Sequence, residues 1–186
     1  MGYTALGGDR VRVFFALTIT QACKYKLHDA CRKTTKDCKR GKFTSCDNLH
    51  LTLAFIGDVT DDEVERLSVL LDEFDVCKPD LVAASFGQFH KKNKKILWIG
   101  VEENQTLLRL QGELNFRLKQ AGFRVEAMPY VPHITFARGV VLDEDVSMRH
   151  FSPIEVTISS VALMESVRVD ERLVYRVVKE KGFTDK

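Results

Sequence analysis

Two short stretches carry the residues that can do chemistry. One reads His50-Leu51-Thr52-Leu53-Ala54-Phe55, the other His133-Ile134-Thr135-Phe136-Ala137-Arg138. Each sets a histidine two residues before a threonine, with one apolar residue between. Alternation of this kind is a strand signal, and on a strand residues i and i+2 share a face. Each stretch therefore presents an imidazole and a hydroxyl together, while Leu51 or Ile134 turns into a core. Two such pairs facing each other supply two proton-transfer groups and two hydroxyl donors. That set suits an in-line displacement at phosphorus. One histidine takes a proton from the attacking group and the other returns one to the leaving oxygen, while the hydroxyls hold non-bridging oxygens. A single His-x-Thr usually marks only the wet face of a half-buried strand; it is the second copy in matching context that singles out His50, Thr52, His133 and Thr135. His28, His90 and His150 have no threonine two residues on and are read as surface or satisfied histidines.

Two further residues are candidates. Arg138 follows His133 by an odd number of residues, so ideal alternation turns it away, and a bulge or twist at the strand end would bring it back. A guanidinium suits phosphate. Tyr130 lies in Pro129-Tyr130-Val131-Pro132, an approach stiffened by two prolines. It could stack on a nucleobase, with Phe43 and Phe55 as alternatives; core packing competes for each of the three.

Around these motifs the chain reads as mixed strands and helices. Asp61–Asp75 is the best helix: Thr60 and Glu63 form a capping box, and Val64, Leu67, Leu71 and Phe74 recur at helical spacing. Gln105–Ala121 follows Asn104 as N-cap and stops at Gly122. Gln21 to about Lys33 is a third helix. Strands are expected at Val11–Ile19, Leu49–Ile56, Leu81–Phe89, Lys95–Val101, Arg124–Met128, His133–Arg138, Ile154–Met164 and Arg172–Val178. No Gly-rich phosphate loop follows any of them, which argues against nucleoside-triphosphate chemistry. A helix beside a His-x-Thr strand occurs twice, implying two similar lobes with a cleft between. No Gly-, Ser- or Pro-rich linker divides them, so 1–186 is read as one domain.

Composition sets outer bounds. The chain has 186 residues, 45% apolar and 29% charged, with a net charge of +2, ordinary for a globular domain. No run approaches a membrane span. Met1–Arg10 lacks the apolar stretch of a signal peptide, so a cytoplasmic location is expected. Basic residues concentrate between Lys24 and Lys42 and in Lys91-Lys92-Asn93-Lys94-Lys95. Either group could attract an RNA backbone, although charge runs commonly only face solvent. The five cysteines, Cys23, Cys31, Cys38, Cys46 and Cys77, lack zinc-site spacing and are read as reduced and structural. No metal site and no cofactor is expected.

The motifs also carry a family likeness. The chain resembles the two-histidine (2H) phosphoesterase superfamily, and within it the LigT-like RNA 2′,3′-cyclic phosphodiesterases, also called 2′-5′ RNA ligases. Arg12–Leu17 is similar to the family's opening strand, Asn48–Gly57 to its first motif block and Leu97–Val101 to the strand before the second lobe's helix. Pro132–Arg138 resembles its second block and Met164–Ser166 its closing strand. The likeness runs from about Arg12 to about Val178. Phe136 stands where leucine is usual, Phe43 where tryptophan is common, and Lys24–Asp47 matches poorly. The resemblance implies an α+β fold of two lobes, each mainly antiparallel sheet with outer helices, related by a pseudo-twofold axis along an active cleft. It implies metal-independent opening of RNA or nucleotide 2′,3′-cyclic phosphates to 2′-phosphates, with 2′-5′ joining as the reverse. His133 is then the base for water and His50 the acid for the leaving oxygen, an order the residues alone leave open. Thr52 and Thr135 hold the phosphate, helped by Arg138, with Tyr130 beside the base. The expected partners are RNA 3′ ends or cyclic nucleotides, bound by a monomer. Competing readings are a two-histidine enzyme for 2′-5′ oligonucleotides, ADP-ribose cyclic phosphate or RNA 3′ tails, and a non-catalytic RNA-end-binding module.

Overall fold

A computed structural model describes residues 10–36, 38–75, 77–126, 128–170 and 172–184. The reading of the N-terminal stretch falls, for Met1 to Asp9, outside the described residues. The elements run β1 (Val11–Ile19), α1 (Gln21–Thr34), β2 (Arg40–Phe43), β3 (His50–Val59), α2 (Asp61–Asp72), β4 (Leu81–Lys91), β5 (Lys94–Val101), α3 (Gln105–Gln120), β6 (His133–Val141), β7 (Ile154–Val156), β8 (Ile158–Val169) and β9 (Arg172–Lys181). They form two sheets, ordered β3-β1-β8-β9 and β2-β6-β5-β4-β7, in which every pairing is antiparallel. This is the α+β, two-lobed architecture expected. The lobes repeat one unit: a strand (β1 or β5), a helix (α1 or α3), then the His-x-Thr strand (β3 or β6) paired back on the first.

Local chemistry accounts for the helices. The Thr60 hydroxyl accepts from the Glu63 N–H at 3.3 Å while the Glu63 carboxylate accepts from the Thr60 N–H at 2.8 Å, closing the capping box at the start of α2. The Asn104 side chain accepts from the Leu107 N–H at 2.9 Å and starts α3. Leu107, Leu110, Leu114 and Leu118 are all buried along one side of α3, the stripe that a 3.6-residue period requires.

Alternation in β1 divides its side chains between two apolar clusters. Val13, Phe15 and Leu17 enter the main core with the helices. Phe14 and Ala16 join Ala162 and Met164 in a small second cluster, with Tyr175 packed on it. That cluster floors the cleft on the first lobe. On the second lobe the floor is Trp98, which Gly87 and Gly100 make room for. A Cβ on Gly87 would lie 2.1 Å from the indole, and one on Gly100 3.0 Å, so a flat ring against the sheet needs glycine at its cross-strand neighbour.

Three expectations are corrected. Arg124–Met128 forms no strand among its described residues, which lie on the approach to β6. Ile154–Met164 is two strands, because the chain leaves one sheet after Val156 and enters the other at Ile158. Strand β2 went unread, since Arg40-Gly41-Lys42-Phe43 is short, charged and wholly exposed, with none of the apolar alternation that marks a strand.

Gly87→Ala should force the indole off the sheet. Trp98 is the sole tryptophan, so its emission should change, and the urea midpoint should fall by an equivalent of about 1–3 kcal/mol, the usual cost of overpacking. Unchanged emission with wild-type stability would refute this packing.

Candidate active site

The His-x-Thr strands β3 and β6 meet across the cleft between the two sheets. Each histidine opens its strand, and each is held in the same way. Nδ1 of His50 lies 2.7 Å from the Asn48 carbonyl, and Nδ1 of His133 lies 2.7 Å from the Val131 carbonyl. A carbonyl only accepts, so in both rings Nδ1 carries the proton. The neutral tautomer is thereby fixed and Nε2 is left as the reactive nitrogen. Nε2 of His50 is 3.1 Å from the Thr52 hydroxyl, which donates to it when the ring is neutral. Among the described residues His133 Nε2 and the Thr135 hydroxyl have no protein partner.

Both rings stand among aromatic side chains. His50 packs against Phe14 and edge-on to Tyr175, each with ring centroids 4.9 Å away. His133 is edge-on to Phe89 at 5.1 Å and lies 5.9 Å from Trp98. Removal from water disfavours the imidazolium and outweighs the bond to the backbone carbonyl in each case. His50 is pushed down to about 4, chiefly by this desolvation, with further repulsion from Arg138, Lys24 and His133. His133 is also held below the usual histidine range, first by burial and then by Arg138. Both rings are therefore neutral in the free protein near pH 7.

Arg138 reaches the site because the strand is irregular. Trp98 pairs with Thr135 but Leu97 pairs with Ala137, leaving Phe136 as an extra residue. Phe136 and Ala137 are consequently both buried in the core, and Arg138 returns to the face of His133 and Thr135. This is the β-bulge that the odd spacing demanded. The first motif has the same device: Ala16 pairs with Thr52 and Phe15 with Ala54, so Leu53 is extra and Phe55 emerges on the cleft face. Phe55 is thus the pseudo-twofold counterpart of Arg138, and the Arg12 guanidinium lies over its ring at 5.1 Å.

Tyr130 lines a pocket of about 310 Å³ together with Thr52, Phe55, Phe89, Gln111 and His133, a volume suited to a small ligand. Its hydroxyl donates to the Thr52 carbonyl at 3.0 Å, and burial pushes the phenol up. Tyr130 therefore braces the approach to β6 against β3 as well as walling the pocket. A larger groove of about 890 Å³ between α2 and α3 lies away from both histidines and is lined by Asp62, Glu65, Glu73 and Glu113 beside Arg66 and Arg117. Among the described residues no three His, Cys, Asp or Glu side chains converge as metal ligands.

The 2′-5′ RNA ligase superfamily model matches residues 14–170. The chain belongs to this superfamily. Among its relatives, a Thermotoga maritima protein named RNA 2′,3′-cyclic phosphodiesterase is 28% identical over 93% of this chain and 96% of its own length. A protein of the same name from Methanothermobacter thermautotrophicus is 30% identical over 69% and 71%. In fold the chain is similar to Escherichia coli LigT complexed with 3′-AMP, with a TM-score of 0.80 and 24% identity over 95% of this chain and all of that one. The superfamily assignment agrees with the likeness read from the two motif blocks.

Sequence reasoning missed Asn48, Phe14, Tyr175, Phe89 and Trp98 as parts of the site. Asn48 had one available signal, a polar residue two positions before the histidine in an otherwise strand-like segment. It is buried, donates to the Leu173 carbonyl at 2.7 Å and accepts from the Tyr175 N–H at 3.1 Å. It therefore ties β9, and with it the Tyr175 ring, to the carbonyl that orients His50. Asn48→Ala leaves two backbone groups without that partner and should cost about 2 kcal/mol or more in chemical denaturation, with turnover falling as His50 loses its support. Wild-type stability would show the bridge to be dispensable.

Proposed function

We propose that the protein hydrolyses 2′,3′-cyclic phosphate ends of RNA, or the corresponding nucleotides, to 2′-phosphates without a metal ion. The observation that carries this reading is the pair of imidazoles, each held by its Nδ1 bond so that Nε2 is left to react and each sharing a strand face with a threonine, with one guanidinium on the second of those faces. His133, neutral and unpartnered at Nε2, takes the proton of the attacking water. The water oxygen bonds to phosphorus as the bond to the ribose O3′ breaks. His50, once protonated, gives that oxygen its proton. Thr52, Thr135 and Arg138 hold the non-bridging oxygens, and Tyr130 borders the pocket for the terminal nucleoside. The superfamily membership and the activity named for the relatives support this substrate class. We also take 1–186 to act as one domain and a monomer, because one chain supplies both halves of the cleft. A cytoplasmic location is proposed with it, supported by cysteines that form no disulfide among the described residues. Among the described residues no helix is long and apolar enough to cross a membrane.

The test is incubation with a 2′,3′-cyclic nucleotide and a cyclic-ended RNA in EDTA, with the product isomer identified. A 2′-phosphate should accumulate in both. His50→Ala and His133→Ala should each lower the rate by about 10²–10⁴, the usual share of a general acid or base, and the double variant should be little worse than either. Near-normal turnover in a folded single variant, or an absolute need for a divalent ion, would sink the proposal.

The depressed pKa values displace the pH profile expected for two unperturbed histidines. The free enzyme needs one proton on the pair, and both rings lose theirs below the ordinary 6.5. The maximum of kcat/KM should therefore lie below pH 6.5 and fall as pH rises through neutrality. A bound phosphate anion favours imidazolium, so the kcat maximum should sit at higher pH. Both limbs report the coupled pair. Coincident profiles peaking above pH 7 would contradict this account.

A further inference from the structure

Beyond the reacting centre, the second sheet continues outward with a different character. Ile96 and Lys42 both pair with Arg138, one from each side, so all three lie in a row on the cleft face. Lys94 is two residues before Ile96 and pairs with Lys91, which sets both lysines on that face as well. The Lys94 stem crosses Gly139, its Cδ lying 3.9 Å from where a Cβ on that glycine would stand. On β2, Gly41 is turned towards the core, where a Cβ would meet Val140 at 2.9 Å. Arg40 and Lys42 on either side of it consequently turn the other way. A pocket of about 570 Å³ joins the hairpin tip to Arg138.

These cations differ from their neighbours in being unspent. Lys39 pairs with Asp143, and Lys95 donates to the Glu144 carbonyl. Arg40, Lys42, Lys91 and Lys94 are exposed and, among the described residues, form no ion pair or side-chain hydrogen bond. No acidic side chain lines the pocket between the hairpin and Arg138. Cations grouped without counter-charges repel one another, and a polyanion relieves that repulsion while releasing its own counterions. The nearest end of the strip is Arg138, which the proposed function places on the reacting phosphate.

We propose that Arg40, Lys42, Lys91 and Lys94 form a track for the phosphate backbone of the RNA nucleotides lying 5′ to the cyclic end. The proposal rests on the RNA-end reading above. It divides the basic segment between Lys24 and Lys42 into two parts. Lys26 and Arg32 belong to α1, which packs behind the sheet beside Phe86 and β7 and is away from the track. Of that segment Arg40 and Lys42 lie on the track, while Lys24, at the start of α1, donates to the Asp47 carbonyl near His50 and is not part of it. The preferred substrate is then an oligonucleotide and not a mononucleotide, held without regard to sequence because phosphates carry no base information.

The test compares wild type, Lys42→Gln/Lys94→Gln and the control Lys26→Gln/Arg32→Gln, which removes equal charge from the back of the sheet. Affinity for a fluorescent single-stranded RNA ending in a 2′-phosphate is measured by anisotropy across a salt series, a readout that needs no turnover. Each phosphate contact contributes about 0.7 to the slope of log affinity against log salt for single strands. The track variant should lose about 1.4 from that slope and the control nothing. In parallel, KM for a cyclic-ended oligonucleotide should rise in the track variant while kinetics on a 2′,3′-cyclic mononucleotide stay at wild type. An unchanged slope, or an equal change in the control, overturns the track. Wild-type failure to hydrolyse either substrate overturns the proposed function instead and leaves the binding series to decide the track.

Discussion

A hydrogen bond from each histidine's Nδ1 to the carbonyl two residues earlier decides which nitrogen the cleft receives. Without it an imidazole can present either tautomer and can swing about its side-chain bonds. With it, Nε2 is the nitrogen left to react in both halves. The rest of the architecture supports that bond. Asn48 locks the loop before His50 onto β9, and Tyr130 locks the approach to His133 onto β3. The aromatic rings beside each histidine exclude water and narrow its motion. The same packing lowers both pKa values, so rigidity and neutrality have one cause. A site held this tightly needs little reorganisation when substrate arrives.

The two lobes are interlocked. Helix α1 follows β1 of the first sheet yet lies against β7 of the second, where the Cys23 thiol donates to the Glu155 carbonyl. Helix α3 follows β5 of the second sheet yet reaches β3 of the first, where Gln111 donates to the Leu53 carbonyl. Strand β2 pairs with β6 on the way from α1 to β3. The chain also switches sheets between β7 and β8. With these crossings, opening the cleft means disrupting packing in both halves. The cleft is therefore bounded by a core to which both sheets contribute.

What was legible in the sequence was whatever depends on local periodicity. The two His-x-Thr strands, the capping box at Thr60 and the leucine stripe of α3 each follow from residues a few positions apart. The bulge was legible only as a condition: Arg138 had the wrong parity to join His133, so either the strand was irregular or the arginine was elsewhere. The aromatic rings around the histidines were not legible, because they come from β1, β4, β5 and β9 and depend on cross-strand register. Nor was β2, whose place is set by the open edge of β6 and not by its own composition. Arg124–Met128 failed for the converse reason. It alternates like a strand, but its described residues join no ladder.

The matching bulges at Leu53 and Phe136 have a consequence for fidelity. A site with true twofold symmetry would accept a small cyclic phosphate equally well in two orientations, which differ only in exchanging the roles of the two histidines. Here the bulges bring unlike side chains to corresponding places: Phe55, covered on one side by Arg12, and the bare guanidinium of Arg138. The duplicated frame supplies two imidazoles, and this mismatch, together with the unlike rings packed around them, makes the two ends of the cleft unequal. A bias of about 1.4 kcal/mol between orientations is a tenfold preference. One aromatic ring set against one cation thus gives the cleft a direction, and under the proposed function the two imidazoles acquire distinct tasks.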